Sequence, residues 1–554
     1  MNSYLNRRGF IKTSLAAFSA SYFASFSINA KQLESYWRQF QQSRHPSQRP
    51  IINTGKRLDA RDFGAKGDGK TKDTKAIQAA IDEVVKSEQP GTVCLSAGVY
   101  LSGSLRLGSQ VNLQIDKQAM LLGSTDIQDY EDAQGNILAL LAGDHCESVS
   151  ISGEGTIDGQ GRQLALNINR LHHAGKRVEA DFNERRNRSR HRPNVVALHH
   201  CQKIKIYDVT IKNGASWVQH YAACQDVMID NIVVDSDAFW NNDGIDINDC
   251  RNVRITGCFV NAADDAICLK STTGGEFHND KVYIGNCVMR SSSNGIKFGT
   301  ESMHGFTNVT IENIRVFDTY RSAIALETVD GAKLENVHID GVEASNVGCA
   351  IFIRLGQRNR DVPQNTPLGT LKNVVIKNLK AEISASRADE DYEVRGPGLN
   401  TFFNPIPSSI TGLPDAAVEN IRLENIDITY PGRANKGLAY RPYDQLFLVP
   451  QERDAYPEYT MFGELPAWGL YVRHAKNVEL INITLRANEA DFRPAFVFDD
   501  VSGLMLKQSE IHAQNDKHLI LHDVKGLSVE GVLALDTNKQ LAPVKQDAWH
   551  QSAS

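Results

Sequence analysis

Short stretches of alternating apolar and polar residues recur along most of the chain, most with an Asn or Gly near the middle. Copies run at 203–211 (KIKIYDVTI), 226–234 (DVMIDNIVV), 252–260 (NVRITGCFV), 281–289 (KVYIGNCVM) and 308–316 (NVTIENIRV). Later ones lie at 333–339, 373–379, 420–428, 477–485, 503–511 and 526–534. Alternation with period two is strand patterning. Aligning Ile206, Ile229, Ile255, Ile284, Ile311 and Leu334 gives steps of 23, 26, 29, 27 and 23 residues. A repeat of that length, made of short strands without helix-length segments, predicts an all-β solenoid, a parallel β-helix whose turns stack about 4.8 Å apart. A leucine-rich horseshoe needs a regular Leu-x-x-Leu-x-Leu frame, and a propeller blade needs a longer repeat. Asn at the bends tolerates left-handed backbone and can form ladders between turns.

One segment breaks the period. Ile77, Ala80, Ile81 and Val84 in 73–87 follow helical spacing, with Asp73 placed to N-cap, so this helix is expected to seal the N-terminal end. Residues 380–418 and 430–475 are long insertions between strand copies. The second carries Tyr440, Tyr443, Tyr456, Tyr459, Phe462 and Trp468, which either stack on sugar rings or pack the loop onto the solenoid.

Charge is nearly balanced, 60 basic against 66 acidic residues, which excludes a broad basic surface for nucleic acid. No run of 18 apolar residues suggests a membrane span. At the N-terminus, paired arginines in NRRGFIK (6–12) precede a weakly apolar stretch ending near Ala30, the layout of a twin-arginine export signal. A bacterial protein exported folded, periplasmic or secreted, follows, with the twin-arginine machinery as a partner. The nine scattered cysteines read as buried small hydrophobes rather than a disulfide framework.

The stretch FWNNDGIDINDC (239–250) suits a solvated turn, a calcium loop or half of an acid/base site. Twenty-one residues after Asp243 stand Asp264 and Asp265, about one turn of the solenoid later. Asp243 is therefore expected beside them on the neighbouring turn. Clustered carboxylates raise one another's pKa, and one protonated beside one ionised carboxylate is the outfit for glycoside hydrolysis.

DARDFGAKGDGKTKDTKAIQAAID (59–82), GTVCLSAGVYLSGSLRL (91–107), GTIDGQG (155–161), HRPN (191–194) and NNDGID followed by ADDAICLKS resemble glycoside hydrolase family 28, the polygalacturonase family. The resemblance runs from about Leu58 to Gly331. It implies a right-handed single-stranded parallel β-helix of the pectin-lyase-like kind, and an inverting hydrolase that needs no cofactor or metal. The family's Asn-Thr-Asp motif falls on Asn241, Asn242 and Asp243, and its Gly-Asp-Asp motif on Ala263, Asp264 and Asp265. Asp264 would then be the general acid. Asp243 and Asp265 would hold and deprotonate the attacking water, with acid and base about 6.5–9.5 Å apart. Asn241 would orient the site or the sugar, leaving Asp246 and Asp249 to turn and ladder duty.

The departures fall on the leaving side. The family's Gly-His-Gly falls on Ser293-Asn294-Gly295, with Lys297 in place of a small residue. Its Arg-Ile-Lys falls on Ala325-Leu326-Glu327, so both cations are lost and a carboxylate gained. That argues against a uronate at this subsite, and for a neutral or decorated sugar such as the rhamnose of rhamnogalacturonan. Lys270 and Lys297 either bind an anionic sugar group or hold the carboxylates ionised. Glu301 is a further candidate sugar ligand, and Arg354 is expected to face the cleft. His220 reads as structural, and the basic run Arg185–Arg192 as a solvated loop or a grip on acidic polysaccharide.

The expected organisation is an export signal at 1–30, an extension at 31–57, the β-helix at 58–535 and a tail at 536–554. The expected function is hydrolysis of a pectin-like or other plant or algal polysaccharide. A calcium-dependent β-helix lyase and a non-catalytic carbohydrate-binding β-helix are the rivals.

Overall fold

A computed structural model describes residues 55–552, apart from 273–276, 393, 395–403, 438–439, 514, 516, 537 and 545–548. The expected export signal, and all of the expected extension before residue 55, lie outside the described residues.

Three strands make one turn of the solenoid. Val196–His199, Gln202–Tyr207 and Thr210–Lys212 form one, and Gln219–Ala222, Gln225–Asp230 and Val233–Ser236 the next. Each strand pairs in parallel with its counterpart a turn later. The fold is the expected right-handed parallel β-helix. Inward residues stack in register as Ile206, Ile229, Ile255, Ile284, Ile311 and Ile339, all buried. The last member differs from the expected Leu334, which pairs with Phe306 instead. Leu334 and Ile339 both face inward, and from Gly305 the strands run on to Thr328, so no break marks the frame.

Asn at the bends does what its side chain allows. Asn308, Asn336, Asn373, Asn420 and Asn477 all adopt left-handed backbone. Their amides form a ladder with links of 3.2, 3.0, 2.8 and 2.9 Å. The ladder is exposed, and its side-chain amides pair from turn to turn along the surface.

The helix Thr74–Ser87 buries Ile77, Ala80, Ile81 and Val84. Asp73 stands at its N-cap position, but its carboxylate makes no cap bond. It accepts instead from the backbone of Lys66 (2.7 Å) and Gly67 (2.9 Å), fastening the preceding loop. A second helix, Gly161–His173, was not anticipated, although Leu164 and Ile168 carry its i, i+4 signal. At the far end the strand Leu541–Pro543 pairs with Leu533–Leu535, and Trp549–Ser552 pairs with Leu519–His522. Part of the expected tail therefore adds strands, and the first strand begins at Lys56.

The insertions cover the outer face of the later turns. Ile406, Leu446, Val449, Tyr459, Phe462 and Leu465 pack on Ala325, Phe352, Tyr471, Val497 and Ile520. Tyr459, Phe462 and Trp468 are buried, and Tyr443 packs against the same cluster, so these aromatics dock the loop. Tyr440 and Tyr456 remain exposed.

Candidate active site

Strand alternation sorts the site residues. In Ile245–Asn248 and Ile267–Ser271, Ile245, Ile247, Ile267 and Leu269 fill the core. The residues between them face outward. Asp246, Cys268, Lys297 and Ala325 form one row in register, and Asn248 and Lys270 pair beside it. Asp243 and the Asp264–Asp265 pair occupy the turns just before these strands. The turns are stitched by bonds from Gly244 N to Asp265 O (2.9 Å) and from Asp264 N to Asn242 O (3.3 Å). A Cβ on Gly244 would stand 2.4 Å from Val260 and 2.6 Å from the Ala266 carbonyl, so only glycine lets the turns approach this closely.

One oxygen from each of Asp243, Asp264 and Asp265 lies within 4.8 Å of the others. The one-turn spacing thus brings all three together, but their nearest oxygens are closer than the expected 6.5–9.5 Å acid–base gap.

The two adjacent carboxylates are pushed in opposite directions. Burial works against the charge on Asp265, but Lys297, Lys270 and Asn294 outweigh it and hold its pKa below the usual carboxylate range. Asn294 donates to Asp265 Oδ1 from its backbone (3.1 Å) and its side chain (2.7 Å), while Lys297 Nζ stands 3.8 Å from Oδ2. Asp264 is only half-buried, and burial followed by the charge of Asp265 raises its pKa. Its side-chain contacts are the Asn241 amide at 3.5 Å and the Asp265 N–H at 3.1 Å.

Lys270 forms a second centre. Its Nζ stands 3.1 Å from Asp243 Oδ2, 3.3 Å from Asp246 Oδ1 and 3.4 Å from Cys268 Sγ, over the ring of Trp217. Burial pushes Asp246 up to about 7, against the pull of Lys270. Burial, then Asp246, also raises Asp243 well above its ordinary value. Asp243 Oδ1 has no hydrogen-bond partner among the described residues. Asp246 is therefore a buried member of the charged cluster, not the turn residue expected. Asp249 does serve the turn, accepting from Ser271 Oγ (2.6 Å) and Thr272 N (2.7 Å).

Several expected sugar ligands are otherwise engaged. Lys270 and Lys297 are buried among carboxylates rather than open to solvent. Asn294 spends its amide on Asp265 and accepts from Ser322 N at 3.1 Å. Glu327 is buried 3.5 Å from Lys297, and burial pushes its pKa up to about 7. It is thus held by a cation, not aimed at a uronate. Arg354 does not face the cleft; it is 1% exposed and donates to the carbonyls of Gly412, Gln451 and Glu452, clamping the second insertion. Glu301 remains half-buried, 3.5 Å from Arg360. Asn241 adopts left-handed backbone and accepts from Arg192 at 3.0 Å. His220 bonds to His199 (3.3 Å) and Asn248 (3.4 Å), and burial lowers it to about 3, a structural role as expected.

One cation near the site was not among the expected residues. Arg321 acts on both Asp264 and Asp265, and pairs with Glu458 of the second insertion at 3.2 Å. Tyr456 lies over it and over Lys297, at 6.0 and 5.4 Å. Arg188 of the basic run interacts electrostatically with Asp264, while burial and Arg186 lower its pKa to about 10. Arg321 lies four residues before Ala325, outside the 325–327 stretch on which the family motif falls. Arg321 thus places positive charge beside Asp264 and Asp265, while Lys297 is already taken up by Asp265 and Glu327.

Residues 86–391, more than half of the chain, match glycosyl hydrolases family 28. The chain belongs to that family. It is 28% identical over 412 residues to a probable polygalacturonase of Vitis vinifera, covering 68% of this chain and 74% of that one. It is 23% identical to an exo-poly-alpha-D-galacturonosidase of Dickeya chrysanthemi, covering 66% and 70%. Two solved structures share the fold. They are an exopolygalacturonase of Thermotoga maritima (TM-score 0.53, 22% identity, 71% of this chain and 91% of that one) and a family 28 exopolygalacturonase of Yersinia enterocolitica (0.55, 17%, 86% and 78%). This family 28 member is accordingly a glycosidase.

Proposed function

We propose that this family 28 enzyme hydrolyses glycosidic bonds in an anionic, pectin-like galacturonan, with Asp264 as general acid and Asp265 as the base that activates water. The observation that carries this is the opposite electrostatic bias on two adjacent carboxylates. A carboxyl with a raised pKa keeps a proton to give to the leaving oxygen, and one held low stays ionised to take a proton from water. Asp243, with one buried oxygen free of partners, is suited to orient that water. Arg188 and Arg321 both interact electrostatically with Asp264, which favours a uronate-bearing chain. Relatives named as polygalacturonases support the same substrate class.

Two lysine ammoniums already stand among the carboxylates, which disfavours a divalent cation there and with it the calcium-dependent lyase. The apolar cover over the later turns supports a cleft closed on that side, and so attack at chain ends. Inversion is the outcome that the resemblance implies. The paired arginines at Arg7–Arg8 support export by the twin-arginine route.

The test is incubation with polygalacturonate and with rhamnogalacturonan, reading reducing ends, viscosity and the first-formed anomer by proton NMR. New reducing ends with little viscosity loss would support end-wise hydrolysis. Unsaturated, ultraviolet-absorbing products would sink it in favour of a lyase. Binding without product would point to the non-catalytic rival.

A further inference from the structure

We infer that Asp144, His145 and His200 form a surface site for a late first-row divalent cation such as Zn²⁺, Ni²⁺ or Cu²⁺, separate from the candidate active site. His145 and His200 occupy the same position on adjacent turns, directly after the paired strands Leu141–Asp144 and Val196–His199. Both adopt left-handed backbone, with φ of 52° and 53°. Elsewhere in the solenoid, bends of this conformation are mostly taken by Asn, Asp or Gly. Here the shared backbone stacks two imidazoles, with centroids 4.6 Å apart.

The donor atoms converge. The Nδ1 atoms of His145 and His200 each lie 3.0 Å from the same oxygen, Oδ1 of Asp144. A tetrahedral metal with bonds of about 2.0–2.1 Å sets its ligand atoms roughly 3.3 Å apart. Admitting the ion requires the stacked rings to turn so that both Nδ1 lone pairs meet at one point, which their exposure allows. Each neutral ring keeps one proton by carrying it on Nε2, which frees Nδ1 for the metal. Two imidazoles and one carboxylate suit Zn²⁺, Ni²⁺ or Cu²⁺, and not Ca²⁺ or Mg²⁺, which need more oxygens. All three side chains are exposed, by 72% for His145, 65% for Asp144 and 46% for His200, so further positions are open to water or another oxygen ligand.

The row Asp144, His199, Ala222, Asn248, Lys270 runs in register along one face. Four strand spacings of about 4.8 Å put the site roughly 19 Å before Lys270. An ion there is too far to touch the reacting bond.

The test uses the full chain, stripped with chelator and free of any histidine tag, titrated calorimetrically with ZnCl₂. One equivalent should bind, at least about tenfold more weakly in His145→Ala and in His200→Ala. His191→Ala, in the other histidine-and-carboxylate cluster with Glu179 and Asp181, should leave binding unchanged. Cu²⁺ loaded at one equivalent should show two nitrogen ligands by electron paramagnetic resonance, one in either variant. Unaltered melting temperatures of the metal-free variants check that they fold. No binding below millimolar Zn²⁺, binding indifferent to His145 and His200, or binding lost in His191→Ala would each overturn the site and leave a hydrogen-bonded His–Asp–His cluster.

Discussion

Lys297 holds its ammonium nitrogen 3.8 Å from Oδ2 of Asp265, with both side chains buried. The same nitrogen lies 3.5 Å from Glu327. One cation thus serves two carboxylates and favours the ionised form of each. Replacing Lys297 by Met should raise the pKa of Asp265. A base must be ionised to act, so the acid limb of the kcat/KM profile should move to higher pH. Adding Glu327→Gln should restore stability without restoring the profile. A profile that stays in place would show that Lys297 does not tune Asp265.

Asp264→Asn removes the proposed proton donor. The rate on polysaccharide should fall by about 10²–10⁴. An aryl glycoside with an activated leaving group needs no proton and should be largely spared. Equal loss on both substrates would remove Asp264 from the acid role.

Arg321→Ala should lower kcat/KM on polygalacturonate more than on a neutral aryl glycoside, because only the former offers a carboxylate to the guanidinium. Glu458→Gln, which breaks the 3.2 Å pair but keeps Arg321, separates loop docking from substrate binding. An equal effect of Arg321→Ala on both substrates would deny it a part in anion recognition.

Asp246 carries a pH signature. Burial first of all pushes its pKa to about 7, above the unfolded carboxylate value of about 3.9. A raised acid pKa means that the folded state binds the proton more tightly. The group therefore costs stability increasingly as pH rises from about 4 to 7. Asp246→Asn should flatten the fall in melting temperature across that window. An unchanged slope would show that Asp246 does not titrate there.

Arg354→Met tests the clamp. Removing the guanidinium takes a donor from each of the carbonyls of Gly412, Gln451 and Glu452, of which Glu452 keeps the Ala455 N–H, at a cost of about 1–3 kcal/mol. The midpoint of chemical denaturation should drop, while KM at a temperature where the protein is folded stays put. A raised KM with unchanged stability would return Arg354 to the cleft.

The repeat was legible because a solenoid writes its packing into local sequence. Each turn contacts chiefly its neighbours, so inward Ile residues recur at the period of the turn and Asn marks the bends. The same locality let Asp243 be matched with Asp264 and Asp265 from spacing alone, and let the helix at 74–87 be read from its own face. What sequence spacing did not carry was the reach of long side chains and long loops. Arg354 is equally at home gripping a sugar or three carbonyls, and only the course of the second insertion decides between them. Asp246 alternates outward like any strand residue. Lys270, from the next turn, makes it part of a charged cluster. Arg321 acts on Asp264 and Asp265 although positions 325 and 327 carry no cation. Charge at a site depends on distance and burial, which belong to the tertiary structure, whereas the alternation that builds the turns belongs to the sequence.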